Sequence, residues 1–320
     1  MAEKQKPAFV RFLRSCLRVR VALPLGILLF GVGLTVPAIV KQAEKQRYPL
    51  ISEQLVDKPQ AQVHLDLDTL ESRIDKYFAD RKIGHSFYFE YLLTGTSIKS
   101  YENSGQIAAS LLKLPFVMDM YKAAELNRLD LDQPVKIKQE WLDNRFGTLH
   151  QRGVGAEITP RQAAELALVE SDNTANNLVK GVSATQLQEE EKILKSLDVK
   201  TITGENASID AISYSSFLRC LYNVCYLNRG DSQELLGFLE RNHFRGIADG
   251  VPKNIKIADK IGVAPDTHSD CGIVYLPDKP YILCVMLQLP KGQYEIVMKE
   301  VSAMVYEAVS KAGETEAKRM

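Results

Sequence analysis

From residue 67 onward, hydrophobic and polar positions follow first a helical period and then a strand period. In "LDTLESRIDKYFADR" (67–81) the apolar residues recur at helical spacing, which predicts a helix with one buried face. "HSFYFEYLLTGTSIKSYENS" follows, two β-rich runs separated by Thr-Gly-Thr, a hairpin signal. Residues 108–126 read as a helix too apolar all round to lie on a surface. "ITPRQAAELALVE" opens with Thr159 as N-cap, Pro160 at the first helical position and Gln162 three residues after the cap. Its Ala- and Leu-rich body predicts burial. Residues 212–227 and 232–242 read as helices. "NIKIADKIG", "DCGIVYLP" and "YILCVMLQLP" then read as three strands, closed by a helix over 293–311.

The order is helix, hairpin, many helices, three strands, helix. It predicts an α/β (α+β) fold: an antiparallel sheet joining the early hairpin to the late strands, with flanking helices and an all-helical insertion subdomain. We place that domain at 67–312, preceded by a polar tether (41–66) and followed by a polar tail (313–320).

The first forty residues are of another kind. Residues 1–20 carry Lys4, Lys6, Arg11, Arg14, Arg18 and Arg20 against the single acid Glu3. Residues 21–40, "VALPLGILLFGVGLTVPAIV", carry no charge. Twenty apolar residues in a helix span about 30 Å, the thickness of a bilayer core. The expected arrangement is a basic cytoplasmic segment (1–20), one transmembrane helix (21–40) and a domain on the outer side of the cell membrane. The rival is a cleaved signal peptide, with "VPA" at 36–38 offering small residues near a cleavage point.

Composition narrows the function. Forty basic residues balance forty acidic ones in 320, with 45% hydrophobic and 25% charged, so nothing in the charge calls for a nucleic-acid partner. Five cysteines do not form a paired framework. Cys16 lies in the basic segment, and Cys220 and Cys225 share a helical stretch whose five-residue offset points them apart. Cys271 and Cys284 lie on neighbouring strands, slightly out of register. Buried free thiols are expected, with a Cys271–Cys284 bridge as the alternative. No Cys-x-x-Cys or His-x-x-x-His occurs, so neither a zinc site nor a cofactor is expected. The chain is expected to act as a monomer.

Three short motifs carry the chemistry. "ASLLKLP" holds Ser110 and Lys113, the chain's only Ser-x-x-Lys, at the start of the apolar helix. Residues three apart share a helix face, and a lysine buried there loses hydration and becomes able to accept a proton. The spacing alone arises by chance roughly once in such a chain. "ESDNTANN" holds Ser171, Asp172 and Asn173 just after a buried helix, where turns also favour these residues. "ADKIGVA" places Lys260, Ile261 and Gly262 on a late strand.

In this order and context the three motifs resemble those of the penicillin-recognising serine hydrolases, and most of all class A β-lactamases, with Ser-x-x-Lys, Ser-Asp-Asn and Lys-Thr-Gly. The resemblance covers roughly residues 68–312. It implies Ser110 as the acylated nucleophile and Lys113 as its proton partner. Ser171 would relay a proton to the leaving nitrogen, and Asn173 would hold the substrate amide and Lys113. Lys260 would attract a substrate carboxylate, Gly262 would keep the strand edge clear, and the N–H groups of Ser110 and Val263 would form the oxyanion hole.

Two departures bear on turnover. Ile261 stands where the family carries a hydroxyl, and Arg245 or His268 are the candidates to compensate. His268 otherwise reads as a surface turn residue. The family's Glu-x-x-Leu-Asn loop has no full counterpart, and Glu205 is the only candidate deacylation base. The resemblance implies a membrane-anchored serine hydrolase that acts through an acyl-enzyme on β-lactams or D-Ala-D-Ala stem peptides of peptidoglycan. The alternative is a penicillin-binding or sensor domain that deacylates slowly or not at all.

Overall fold

A computed structural model describes residues 47–52, 65–101, 106–199, 207–290 and 292–312. The basic segment 1–20, the apolar run 21–40, Glu205 and the tail 313–320 lie outside the described residues. Among the described residues no helix is long and apolar enough to cross a membrane.

The two periods of the sequence become two kinds of layer. Helix α1 (Leu67–Arg81) starts where the Asp66 carboxylate accepts the Thr69 N–H at 3.0 Å. It buries Leu70, Ile74, Tyr77 and Phe78. Strands β1 (Gly84–Tyr91) and β2 (Thr96–Tyr101) form the expected hairpin. They join β7 (Ile257–Ala264), β8 (Thr267–Val274) and β9 (Tyr281–Gln288) in one antiparallel sheet of order β2-β1-β9-β8-β7. Strand β7, which carries Lys260, is therefore an edge strand. Helix α8 (Tyr294–Lys311) lies beside α1 and buries Val297, Val301, Val305 and Val309 in the same core as Phe87, Phe89, Leu283, Val285 and Leu287.

The helical insertion surrounds α2 (Lys113–Glu125), whose Leu114, Val117, Met118, Met120 and Tyr121 are fully buried. Helices α3 (Pro160–Val169) and α4 (Asn173–Ser183) pack against it. The capping box at Thr159 and Gln162 forms as the sequence predicts.

The structure departs from the expected elements at three places. The single helix over 108–126 is instead a 3-10 turn (Ala109–Leu112) and α2, preceded by a short strand (Gln106–Ile107). Ala109 takes φ 46, in the left-handed region, which breaks the helix just before Ser110. Residues 212–227 do not continue as one helix. Helix α6 (Ala211–Tyr222) ends at Tyr222, and Val224 at φ 55 turns the chain back so that Cys225 N–H donates to the Cys220 carbonyl. That reversal brings Cys220 and Cys225 together as a disulfide, because the helical offset no longer applies beyond the cap. Cys271 and Cys284 are direct register partners and also form a disulfide. Both pairs correct the expectation of free thiols.

Leu50–Ser52, within the stretch read as tether, are buried on the domain. The Leu50 N–H donates to Gln233 at 2.8 Å and the Ser52 N–H to the Tyr222 carbonyl at 2.7 Å.

Candidate active site

Ser110 sits half-buried in the 3-10 turn that leads into α2, and Lys113 is the first residue of that helix. In the second motif, Asp172 caps α4 by accepting the Ala175 N–H at 2.9 Å and the Leu149 N–H at 2.8 Å. Gly147 makes this possible, because a Cβ there would lie 2.1 Å from the Asp172 carboxylate. The cap fixes its neighbours. Ser171 is held at φ 55 and is buried, and Asn173 occupies the first turn of α4. Left-handed residues thus stand at both serine loops, Ala109 beside Ser110 and Ser171 itself. Such strain persists only where surrounding structure holds it, and it clusters at functional sites.

The side chains converge on one point. Lys113 Nζ donates to Ser171 Oγ at 3.1 Å, to Asn173 Oδ1 at 2.9 Å and to the Ser171 carbonyl. Lys260 Nζ reaches the same Ser171 Oγ at 3.1 Å. Neither ammonium is solvated: Lys260 is 0% exposed and Lys113 4%. Burial pulls the Lys113 pKa down to about 7, assisted by the charge on Lys260 and opposed by Asp172 and Asp143. Burial likewise lowers Lys260 to about 8, opposed by Asp259 and Asp270. Burial thus brings both lysines toward neutrality, and Lys113, the more strongly lowered, becomes able to accept a proton.

Gly262 brings β7 up against the serine turn. A Cβ at this residue would lie 2.7 Å from the Ala108 carbonyl and 2.9 Å from Leu111. The glycine is needed for the approach of strand to turn, a use the motif does not reveal. Val263 is 51% exposed beyond it, and Ile261 is half-buried.

The structure thus brings Lys113, Ser171, Asn173 and Lys260 into one hydrogen-bonded cluster, with Ser110 one turn from Lys113. Glu205 lies outside the described residues. Arg245 is occupied by Asp249 at 2.7 Å. His268 is no surface turn residue: it is 2% exposed on β8 opposite Val263, stacked on Tyr294 at 3.8 Å. Its Nδ1 meets the Leu289 carbonyl at 3.1 Å. Strand pairing and the α8 edge bury it, which a local reading of "HSDCG" does not capture.

Other residues here escape the motifs. The Asp143 carboxylate orients Asn173 by hydrogen bonding and is held down to about 2, chiefly by Arg145. Phe146 accepts the Asn173 N–H through its carbonyl, and its ring packs on Phe244 with centroids 5.7 Å apart. Asp259 and Asp270 are buried carboxyls on β7 and β8. A charge on a strand is the one signal that could have singled them out.

The chain is similar to known proteins over most of its length. Residues 69–309 match a family model, Beta-lactamase2, described as "Beta-lactamase enzyme family". No curated protein matches the chain significantly in sequence. Among solved structures, a mutant of PBP-A in acyl-enzyme complex with penicillin G is similar with TM-score 0.71 and 21% identity, covering 77% of this chain and 97% of that one. A β-lactamase from Chitinophaga pinensis gives TM-score 0.68 and 16% identity over 75% of this chain and 99% of its own. One from Xanthomonas campestris gives 0.67 and 20%, over 76% and 98%. At these identities the solved structures establish the fold. With the family match spanning most of its length, and a serine, two buried lysines and an asparagine meeting as described, the chain belongs to the β-lactamase enzyme family of penicillin-recognising serine hydrolases.

Proposed function

We propose that the protein is a membrane-anchored, extracytoplasmic serine hydrolase that forms an acyl-enzyme on Ser110 and acts on β-lactams or on D-Ala-D-Ala peptides of the cell wall. The observation that carries this reading is the meeting of two buried, pKa-lowered lysines on Ser171 Oγ, one helical turn from Ser110. In the proposed reaction Ser110 Oγ attacks the substrate carbonyl and its proton passes to Lys113. The Ser110 and Val263 N–H groups receive the developing oxyanion. Ser171 gives its proton to the leaving nitrogen as the C–N bond breaks and regains one from the lysine pair. Lys260 attracts the substrate carboxylate by charge. Water then releases the acyl group.

One sequence feature favours slow release. No Glu-x-x-Leu-Asn follows Asn173, so the water of deacylation lacks the family's usual base. The second reading is therefore a penicillin-binding domain that holds its acyl group. Export is supported by the basic and apolar N-terminal segments and by the two disulfides, which persist in oxidising compartments.

Intact mass spectrometry of the full chain with benzylpenicillin, followed over time, tests both readings. A covalent adduct on Ser110 supports the acyl-enzyme, and its decay rate separates hydrolase from binder. Absence of any adduct at saturating penicillin overturns the proposal.

A further inference from the structure

In the reaction proposed above, Ser171 hands a proton to the leaving group. Its Oγ is also the partner of Lys260, so the leaving half of a substrate lies on the Lys260–Ile261 side of Ser110. Residues 242–247 flank that side. The Asn242 amide donates to Asp259 Oδ1 at 3.2 Å, and the Ile247 N–H donates to Asp270 Oδ2 at 2.8 Å. Asp259 stands two residues before Ile261 on β7, and Asp270 is the register partner of Ile261 on β8. The segment between these two bonds therefore runs beside Ile261. From it the Phe244 ring meets Phe146 with centroids 5.7 Å apart, and His243 Nε2 meets a Glu170 carboxylate oxygen at 3.1 Å. The Phe146 carbonyl accepts the Asn173 N–H, and Glu170 precedes Ser171. Both contacts thus join the Ser171 turn to the Ile261 edge.

Charge and surface at this end narrow what can occupy it. Of the side chains that could hold a carboxylate here, most are spent. Ile261 has no donor, and Arg245 is paired with Asp249 at 2.7 Å. His268 is buried on β8, stacked on Tyr294, with Nδ1 on the Leu289 carbonyl at 3.1 Å. Lys260 has no exposed surface, its Nζ is engaged by Ser171 Oγ, and burial draws it toward neutrality. A cation is disfavoured by the same lysine. The surface on offer is apolar: Val263 is 51% and Phe146 47% exposed, and Ile261 and Phe244 are half-buried. Such side chains gain most by covering an uncharged, ring-bearing group.

We propose that Ser110 also cleaves uncharged carboxylic esters whose leaving group, an apolar ring-bearing alcohol or phenol, rests on Ile261, Phe146 and Phe244. The inference rests on the acyl-enzyme reading and adds a substrate class to it. Ser110 Oγ bonds to the ester carbonyl carbon as its proton passes to Lys113. The bond from that carbon to the ester oxygen then breaks, and the oxygen leaves with the Ser171 proton as an alcohol or phenol. Ser171 recovers a proton from Lys113, whose Nζ lies 3.1 Å from its Oγ. Water adds to the acyl carbonyl, the carboxylic acid departs and the Ser110 hydroxyl is restored. Ester and water are consumed, acid and alcohol are formed, and no other reactant is needed.

Two esters of phenylacetic acid test this on the full chain. The phenyl ester and the meta-carboxyphenyl ester share the acyl group, and their leaving groups differ by one carboxylate. Release of the phenol reports acylation whether or not the acyl group is later hydrolysed. Expected is an acylation constant about tenfold or more higher for the phenyl ester, as burial of an uncharged ring implies. Intact mass spectrometry should place the phenylacetyl adduct on the native chain and find none on Ser110→Ala. In Phe244→Ala the preference for the phenyl ester should shrink, and in Ile261→Thr the constant for the carboxyphenyl ester should rise. A native preference for the carboxyphenyl ester overturns the proposal. So does phenol release by Ser110→Ala at the native rate, or a preference that neither Phe244→Ala nor Ile261→Thr alters. Benzylpenicillin, run in parallel, separates the two readings. A penicillin adduct alongside a preference for the carboxyphenyl ester overturns this inference alone, whereas no adduct from penicillin or from either ester overturns the acyl-enzyme reading as well.

Discussion

One face of the central sheet has two different ends. On β1 and β9 it presents Phe87, Phe89, Leu283, Val285 and Leu287 to α1 and α8, all essentially without solvent contact. Two strands away, the same face carries His268 and Asp270 on β8, with Asp259 and Ile261 on β7. Both ends are largely buried, yet they do opposite work. Apolar burial lowers the free energy of the fold at about 25 cal/mol per Å². Buried charge raises it unless partners compensate. The β1–β9 end holds the molecule together, and the β7–β8 edge uses that stability to keep lysines and carboxyls out of water. The comparison predicts that substitutions at the first end change stability without touching chemistry, and at the second the reverse.

Ser110→Ala should show the largest separation. Covalent labelling by a fluorescent penicillin should vanish, while stability measured by urea unfolding stays within about 1–2 kcal/mol of the native chain. Phe87→Ala should do the converse, costing about 3–5 kcal/mol while the folded fraction still labels at the native rate. Labelling that survives in Ser110→Ala would move the nucleophile elsewhere.

Lys113→Met sharpens the contrast through pH. The folded pKa of about 7 lies below the ordinary lysine value, so between these values the unfolded chain binds the proton that the folded chain releases. Stability from this group is therefore lowest below pH 7 and rises with pH. Between pH 7 and 9 the native chain should gain about 2–3 kcal/mol more than Lys113→Met, by urea unfolding at each pH. Acylation should collapse in the variant. Parallel pH curves for the two proteins would mean that Lys113 is not the depressed group.

The smallest effect concerns Ile261, the apolar residue placed at the reactive edge. It cannot donate to a carboxylate, so Lys260 must hold that group by charge, and added salt should weaken binding. Ile261→Thr restores a donor and should tighten benzylpenicillin binding or speed acylation by about 1 kcal/mol, read from acylation rate against concentration. A neutral or harmful outcome would assign Ile261 to packing against an apolar part of the substrate.

The dry end was legible in the sequence and the charged end only in part. Leu70, Ile74 and Phe78 repeat at helical spacing, and Thr159 with Gln162 marks a helix start by local hydrogen bonding alone. Ser110, Lys113, Ser171, Asn173 and Lys260 could be named from three motifs, because the residues within each motif are close in the chain. Asp143 and Asp270 belong to no motif, since Asn173 and Ile247, which they bond, come from other elements. The burial of His268 escapes a local reading for the same reason. The helical offset expected to part Cys220 from Cys225 is cancelled by a left-handed residue at Val224.

By itself, then, the sequence determined what periodicity and short-range spacing can encode: a layered α+β domain, its helix caps and the residue types of the site. Tertiary structure alone decided that Lys113 and Lys260 share Ser171, that Gly262 is required by the Ala108 carbonyl, and that Asp259 and Asp270 become diagonal neighbours on paired strands. The reason is physical. A periodic pattern reports which face of an element leaves water, whereas a pKa or a hydrogen bond between distant residues depends on distances set only when several elements pack at once.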